Sequence, residues 1–395
     1  MRVALIKHSA VGRHGGTRLY YRLARELMAL GVTVDLLVHD HDPDAAFPEM
    51  AEGLEIRSVR RVRYAGPGSF ARMLAEQETH SRELAALVPR EADVLHVHEW
   101  RGLRAGALAK HGRRLVWSCN DPSPWDLLVT ERNVLRWSAG RLLAALDRAY
   151  AGSAVDRTLV LSDQAAGVMA RSSGRRPAVV RCGADVVPGP SHVEARRALG
   201  VDGAVVALGV GVLVPRRRFE DLIDALALVA GVHAVIVGTD QLDAAYARSL
   251  RDVAVRRSVS DRVRFVTTPP TDAELRLYYA AADLFVFPNE EQTWGLAVTE
   301  AMAAGLPCVV STGAGVHEVL TDEMTALIVP PRSPQRLASA IARLASDPRL
   351  RKRIASEGAR FVERQLSWRG FALSVLASYS AEPNTPKSSG STTAP

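Results

Sequence analysis

The segment most suited to binding chemistry is residues 288–310, PNEEQTWGLAVTEAMAAGLPCVV. The apolar run that ends at Phe287 predicts a buried strand, and Gly295 leads into a helix. Amides in the first turn of a helix have no partner inside it, so those after Gly295 can hold an anionic group such as a diphosphate. Glu300 stands one turn into the helix, where its carboxylate can accept hydrogen bonds from sugar or ribose hydroxyls.

A second glycine-containing loop, GRHGGT at residues 12–17, lies between a predicted strand and a predicted helix. Gly15 and Gly16 directly precede the helix, and the lack of side chains lets the backbone approach a phosphate closely. The spacing differs from the GxGxxG dinucleotide fingerprint. A tight turn without a ligand is therefore an equally good interpretation of this loop.

Histidines and acidic pairs offer weaker signals. His96 and His98 are two residues apart on a predicted strand and share a face, so they could bind a metal with Glu99. Since no third histidine or cysteine stands at metal-ligand spacing, we expect no metal and place His98 near the site at the strand end. The Asp40-His41-Asp42 sequence mimics a metal-binding DxD motif, but short acidic pairs are common in turns and a solvated loop is the expected structure.

The arginine run at Arg57, Arg60, Arg61 and Arg63 leaves two alternatives open. It predicts either a solvated edge strand or a surface that contacts an anionic acceptor or the inner leaflet of a membrane.

These candidates require parallel strands and intervening helices to position them. Strand-like and helix-like segments alternate along the whole chain, which predicts an α/β fold of two facing, doubly wound, Rossmann-like domains with a ligand cleft between them. The predicted strands are residues 2–7, 32–38, 93–98, 115–118, 158–161 and 179–181, and then 205–214, 234–237, 263–266, 284–287 and 308–311.

The predicted domains follow from this alternation. Residues 1–187 form an N-terminal domain, and residues 188–368 form a C-terminal domain. Residues 369–380 form a last helix. Residues 381–395 are rich in Ser, Thr, Pro and Gly, which predicts a disordered tail.

Composition excludes several classes of protein. The chain has 395 residues, 47% hydrophobic and 24% charged, which is typical of folded domains. Its longest uncharged apolar stretch, residues 203–214, is too short to span a bilayer. Lys7 interrupts the first apolar run too early for a signal peptide. We therefore expect a cytoplasmic protein.

Three separated cysteines indicate neither a disulfide framework nor a zinc pattern. The net charge of +7 permits anionic partners, but no nucleic-acid-binding motif accompanies it.

The segment at 288–310 resembles the signature of retaining GT-B glycosyltransferases of family 4. That signature has a Pro at the strand end, a Glu, seven residues and a second Glu, with Phe-Gly or Trp-Gly inside, followed by AMAxGxP. Further motifs resemble the family in the same order over about residues 1 to 380. They are Gly15-Gly16, DVLHVH at 93–98, Ser162, GAD at 183–185, PRR at 215–217, AD at 282–283 and GAGVHE at 313–318.

Three positions depart from the family pattern. Trp294-Gly295 aligns Gln292 with the first Glu of the signature, although Glu291 is adjacent. Arg217 stands at the position of the phosphate-loop Lys, and Val212 at that of the preceding Arg. Asn120 replaces the family's His beside the donor sugar, and an amide binds hydroxyls but is no acid or base at neutral pH.

The resemblance implies a hexosyltransferase that moves a sugar from a UDP- or GDP-linked donor to an acceptor hydroxyl with retention, without a metal or other cofactor. It implies that Gln292, Asn120 and His98 orient the sugar and that a further set of residues binds the donor. That set is Gly15, Gly16, Arg217, Trp294, Gly295, Leu296, Glu300 and Glu318. The resemblance also implies that residues 1–187 are the acceptor side, that residues 188–368 bind the nucleotide-sugar and that the helix at 369–380 returns to the first domain.

Two other functions fit the same fold. A sugar-nucleotide epimerase would convert the donor without an acceptor. A catalytically silent, nucleotide-binding paralogue would account for Gln292, Val212 and Asn120.

Overall fold

The computed structural model describes residues 1–62, 70–120, 152–173, 175–185, 189–201 and 203–382. The chain divides into two compact units. Unit 1 comprises Met1–Arg181 and Trp368–Pro395, and unit 2 comprises Cys182–Ser367. The division therefore falls a few residues before the predicted boundary at 187, which lies within residues 186–188, outside the described part. Most of the predicted tail, residues 383–395, also lies outside it.

Unit 1 contains a seven-stranded parallel sheet in the order β3-β2-β1-β4-β5-β6-β7. Its strands are β1 (Arg2–Ala10), β2 (Thr33–His41), β3 (Ile56–Arg61), β4 (Val94–His98), β5 (Arg114–Ser118), β6 (Arg157–Val160) and β7 (Ala178–Val179). The five residues of β4 are all buried, as expected for a central strand covered on both faces.

Helices accompany this sheet. Those of the described residues are α1 (Gly15–Ala29), α2 (Pro48–Ala51), α3 (Phe70–Ala86), α4 (Leu103–Ala109), α5 (Asp163–Ser173) and, at the end of the chain, α13 (Trp368–Ser380). In α1, the buried Leu19, Leu23 and Leu27 recur at helical spacing. The last helix, α13, packs against α1 within unit 1.

Unit 2 contains a six-stranded parallel sheet in the order β10-β9-β8-β11-β12-β13. Its strands are β8 (Val205–Val210), β9 (Val232–Val237), β10 (Val263–Val266), β11 (Leu284–Phe287), β12 (Cys308–Ser311) and β13 (Leu327–Val329). Its helices are α6 (His192–Leu199), α7 (Phe219–Leu226), α8 (Ala244–Arg256), α9 (Asp272–Ala281), α10 (Leu296–Ala303), α11 (Pro334–Ser346) and α12 (Pro348–Gln365).

The predicted strand at 205–214 is wrong at its end, since β8 stops at Val210. The chain then enters a 3₁₀ turn at Pro215–Arg217. Leu213 is fully buried although it lies outside the strand. The apolar residues in this run therefore indicate burial. The sequence pattern alone does not show whether a buried apolar residue lies in a strand or in a loop.

Candidate active site

The strand–loop–helix from β11 to α10 is the centre of the candidate site in unit 2. The helix begins at Leu296, directly after Gly295, whose φ is +133°. A side chain here would be strained, and its Cβ would lie 3.2 Å from Val316 and 3.3 Å from Phe287. Glycine thus allows a sharp entry into a helix whose first-turn amides suit an anion.

Glu300 is held from a neighbouring helix. The hydroxyl of Tyr279, a buried residue of α9, donates to Glu300 Oε2 at 3.0 Å. Glu300 itself is half-buried. One carboxylate oxygen is therefore oriented by the protein, which prepares the group to accept hydroxyl hydrogen bonds through its other lone pairs.

Gln292 is fixed by both its backbone and its side chain. Its N–H donates to Gly313 O at 2.9 Å, and its carbonyl accepts from Gly315 N at 2.8 Å. Its Oε1 accepts from Arg216 Nη1 at 3.4 Å. Glu291, by contrast, is exposed. Gln292, the residue that the Trp294-Gly295 alignment selects, is thus the one that this loop holds inward.

The loop after β8 carries Arg217. Glu290 N donates to Arg216 O at 2.9 Å, which joins this loop to the one before α10. The Arg217 guanidinium lies 6.0 Å from the centre of the Phe287 ring. β8 and β11 are adjacent strands of one sheet. The loop after β8 carries the guanidinium of Arg217, and the loop after β11 leads into the open first-turn amides of α10.

Trp294 lies in the loop before α10, and Glu318 lies in a segment bonded to that loop. Trp294 is only 1% exposed, so its indole packs in the interior while its carbonyl accepts from Val316 N at 3.1 Å. Glu318 is half-buried in the 3₁₀ helix Gly315–Val319, the same segment that fixes Gln292.

In unit 1, Gly15 and Gly16 are the first two residues of α1, and His14 precedes them in extended conformation without a side-chain cap. The first-turn amides of this long helix are therefore also suited to an anion. Asn120 lies two residues beyond β5, where the described segment ends, and is 9% exposed.

His96 and His98 are both interior. His96 Nδ1 lies 2.7 Å from the Tyr379 hydroxyl and Nε2 lies 2.8 Å from Ser118 Oγ, and burial lowers its pKa to about 3. His98 is 1% exposed, and burial, together with His96 and Lys7, holds its pKa well below the usual range. Both imidazoles are therefore neutral at pH 7, and the His98 ring packs edge-on to Tyr20 at 5.3 Å.

Comparison with known proteins identifies the family. Residues 193–361 match the family model described as Glycosyl transferases group 1, and residues 13–187 match the one described as Glycosyltransferase Family 4. The two matches together cover most of the chain.

The chain belongs to the group 1 glycosyltransferases.

Similar proteins span nearly the whole length of this glycosyltransferase. The D-inositol 3-phosphate glycosyltransferases of Kribbella flavida and Geodermatophilus obscurus are each 28% identical to it. The matches cover 95% and 94% of this chain and 92% and 85% of those proteins.

Two solved structures share its fold. Sucrose-phosphate synthase from Thermosynechococcus elongatus has a TM-score of 0.77 at 23% identity, covering 96% of this chain and 98% of that one. Anabaena HepE in complex with UDP-glucose has a TM-score of 0.76 at 20% identity, covering 96% and 99%. The predicted α/β, GT-B architecture of two Rossmann-like domains is confirmed.

Sequence reasoning about this glycosyltransferase missed the roles of Tyr279 and Asn289 and offered a different role for Glu99. Tyr279 orients Glu300, but a tyrosine on an amphipathic helix gives no signal of such a role. Asn289 follows β11 with its side chain fully buried, and neither amide atom has a hydrogen-bond partner among the described residues. Glu99 accepts from His8 N at 2.9 Å and from Ser9 N at 3.1 Å, so it fastens the end of β1 and is not directed at a metal with His96 and His98.

The charged runs of the glycosyltransferase have internal partners. Arg57 pairs with Asp35 at 3.4 Å, and Arg60 pairs with Asp40 at 3.0 Å. Asp42 accepts from the amides of the turn that follows it. The expected solvated loop at Asp40-His41-Asp42 is wrong, because Asp40 and His41 belong to β2 and both His41 and Asp42 are buried. The arginine contacts match the edge-strand interpretation, while Arg63 lies outside the described residues. Among the described helices, we find none with the length and apolar character needed to cross a bilayer.

Proposed function

We propose that this glycosyltransferase transfers a sugar from a nucleoside diphosphate-sugar to an acceptor hydroxyl with retention of anomeric configuration. The observation that carries the proposal is the pairing of Glu300, oriented by Tyr279, with the open first-turn amides of α10 in one strand–loop–helix. This strand–loop–helix offers the Glu300 carboxylate to hydroxyls and the first-turn amides of α10 to phosphates. The solved complexes of the structural neighbour HepE with UDP and UDP-glucose favour UDP as the donor nucleotide, with GDP as the alternative.

In this proposal unit 2 stabilises the departing diphosphate. Arg217 and the amides near Gly295 and Leu296 neutralise the charge that develops as the anomeric C–O bond breaks. Arginine can replace the usual lysine, because its guanidinium pairs with two phosphate oxygens at once. Glu300 binds ribose hydroxyls, and Glu318 binds a ribose or donor-sugar hydroxyl.

Retention is what the resemblance to retaining GT-B glycosyltransferases implies. Because the neutral amide of Gln292 supplies no nucleophile for a covalent intermediate, a retaining transfer here requires the acceptor hydroxyl to attack the anomeric carbon from the face that the diphosphate leaves. The acceptor oxygen forms the new bond and its proton passes to the departing phosphate oxygen. The protein's task is electrostatic and positional, and the scheme requires no metal ion.

Unit 1 supplies the acceptor side and also offers groups to the donor. Asn120 offers an amide for a hydroxyl of the transferred sugar, and the α1 amides at Gly15 and Gly16 offer donors for a phosphate of the leaving diphosphate. Because His98 is buried, it supports this region by packing inside unit 1 and does not contact the substrate directly. Since the relatives named above are D-inositol 3-phosphate glycosyltransferases, a phosphorylated polyol is the first acceptor class to test.

The deciding experiment incubates the full chain with UDP-glucose, UDP-N-acetylglucosamine or GDP-mannose, with and without inositol phosphate. Released nucleotide is measured, and the anomeric configuration of the product is assigned by NMR. Transfer should fall by roughly 10- to 100-fold in Glu300→Gln, the cost of hydrogen bonds to a charged group. The matched control is Glu291→Gln, at the exposed neighbour of Gln292, which should keep wild-type activity.

Two outcomes contradict the proposal. Conversion of the donor sugar without an acceptor would indicate an epimerase. Tight nucleotide binding with neither transfer nor slow donor hydrolysis would indicate a silent, nucleotide-binding paralogue.

A further inference from the structure

Three buried histidines of unit 1 converge on one point that takes no part in the proposed transfer. His8 lies on β1, His39 on the neighbouring β2 and His80 on α3, and all three are buried. One ring nitrogen from each lies within 4.8 Å of the others. We call these three residues the histidine cluster. Sequence spacing gave no sign of it, because its members are 31 and 41 residues apart in the chain.

One distance within the cluster is that of a metal site. His8 Nε2 lies 3.3 Å from His80 Nδ1. Two nitrogens bound tetrahedrally to zinc at about 2.0–2.1 Å are themselves roughly 3.3 Å apart. The His39 ring is stacked on His80 with the ring centres 4.0 Å apart, and both of its nitrogens lie 2.9 Å from carboxylates. His39 must therefore turn and release one of these carboxylates for its nitrogen to complete the set.

Carboxylates surround the cluster as they surround metal-bound imidazoles elsewhere. His39 Nε2 lies 2.9 Å from Glu83 Oε2, and its Nδ1 lies 2.9 Å from Asp40 Oδ1. Glu76 Oε2 lies 3.9 Å from His80 Nε2. In metal sites, a carboxylate on the second nitrogen fixes the tautomer and makes the ligating nitrogen more basic. These carboxylates also supply negative charge for a dication, while Arg60 is paired with Asp40 at 3.0 Å.

His8 has one nitrogen directed at the cluster and one that is not. It is 2% exposed, and its Nε2 is the atom that lies 3.3 Å from His80 Nδ1. An ion bound at Nε2 would place the ring proton on Nδ1, which is buried with no hydrogen-bond partner among the described residues. The case for the site therefore rests on the convergence of the three rings.

We propose that His8, His39 and His80 bind one divalent transition-metal ion of the zinc class, with Glu83, Glu76 or a water as the fourth ligand. Imidazole nitrogen is a preferred ligand of zinc, copper and nickel, whereas magnesium and calcium prefer oxygen. The ion ties β1, β2 and α3 together. Its role is structural, so it is compatible with a transfer step that uses no metal.

The test measures metal content in the full chain, purified without a histidine tag. Inductively coupled plasma mass spectrometry should find about one equivalent of zinc per chain. Replacement by Co²⁺ should give the visible d–d absorption of a nitrogen-ligated, tetrahedral ion. His80→Gln and His39→Ala should each lose the bound metal. The matched control is His233→Ala, on β9 of unit 2, which should keep it.

Thermal unfolding of the wild type covers the case in which a cluster variant fails to fold. Removal of the metal by a chelator should lower the unfolding midpoint, and added Zn²⁺ should restore it. The proposal is overturned if the wild type retains no zinc, gives no d–d bands with Co²⁺ and keeps its midpoint in chelator. It is equally overturned if folded His80→Gln binds zinc as the wild type does.

Discussion

At the scale of single residues, the central contact of the candidate site is the hydrogen bond from Tyr279 to Glu300. Tyr279 is buried and reaches no proposed ligand, so it acts by positioning the carboxylate. Tyr279→Phe should therefore weaken donor binding by roughly tenfold, as expected for loss of a hydrogen bond to a charged group. The effect should appear mainly in KM for the donor. The half-buried neighbour Tyr278, changed to Phe, should leave KM unaltered.

Arg217 provides the second prediction at this scale. Arg217→Met removes the cation from the end of β8 while keeping an unbranched side chain. We expect donor affinity, measured by calorimetry with UDP, to fall by roughly 10- to 100-fold. Arg248→Met, at an exposed position of α8, is the control. Equal UDP affinities in the two variants would show that Arg217 does not contact the diphosphate.

At the scale of elements, the donor-side loop depends on a close approach of two chain segments. A Cβ at Gly313 would lie 2.3 Å from Glu290 O and 2.4 Å from Asn289 O. Gly313→Ala should force these loops apart, lower stability by about 1–3 kcal/mol and weaken UDP binding. Gly189→Ala, where the nearest atoms are at 3.6 and 3.7 Å, is the control and should be tolerated. Urea denaturation and calorimetry would measure both effects.

The helix that carries Tyr279 begins with a capping box. Thr271 Oγ1 accepts from Glu274 N at 3.2 Å, and Glu274 Oε2 accepts from Thr271 N at 2.8 Å. Thr271→Ala should cost about 1 kcal/mol of stability in urea denaturation. Ser333 occupies the same position before α11 without a side-chain cap, so Ser333→Ala should cost less. Similar losses in the two variants would contradict a capping role for Thr271.

At the scale of the whole molecule, the two units should respond differently to acid. His96 and His98 are buried in unit 1 with pKa values lowered in the folded state. The unfolded chain takes up protons below about pH 6.5 while the folded unit does not, so stability is complete above that pH and is lost as pH falls toward 3. At pH 5.5 the loss is about 1.4 kcal/mol per histidine.

Hydrogen exchange measured by mass spectrometry, corrected for intrinsic rates, can follow each unit at pH 7 and pH 5.5. Protection should fall more in β4 and β5 of unit 1 than in β8 and β11 of unit 2. His8, His41 and His80 of the same unit also have lowered pKa values and add to this sensitivity. Equal losses in the two units would contradict its assignment to the buried histidines of unit 1.

The sequence by itself determined the donor-side segment closely. β10, β11 and β12 begin and end where the pattern predicts, and α10 begins at the predicted Leu296. These elements follow from local information, namely an apolar run, a glycine at the helix start and a Gly-Leu-Pro stop. The three-residue β13 escaped prediction because it is too short to show a period.

Only the tertiary structure decided which side chains meet. Tyr279 and Glu300 are 21 residues apart, and His96 meets Tyr379 across 283 residues. The histidine cluster exists because β1 and β2 are neighbours in the sheet and α3 packs against β2. Periodicity fixes the face on which a residue lies. Strand order and helix packing fix its neighbours, and those depend on contacts between segments that are distant in the chain.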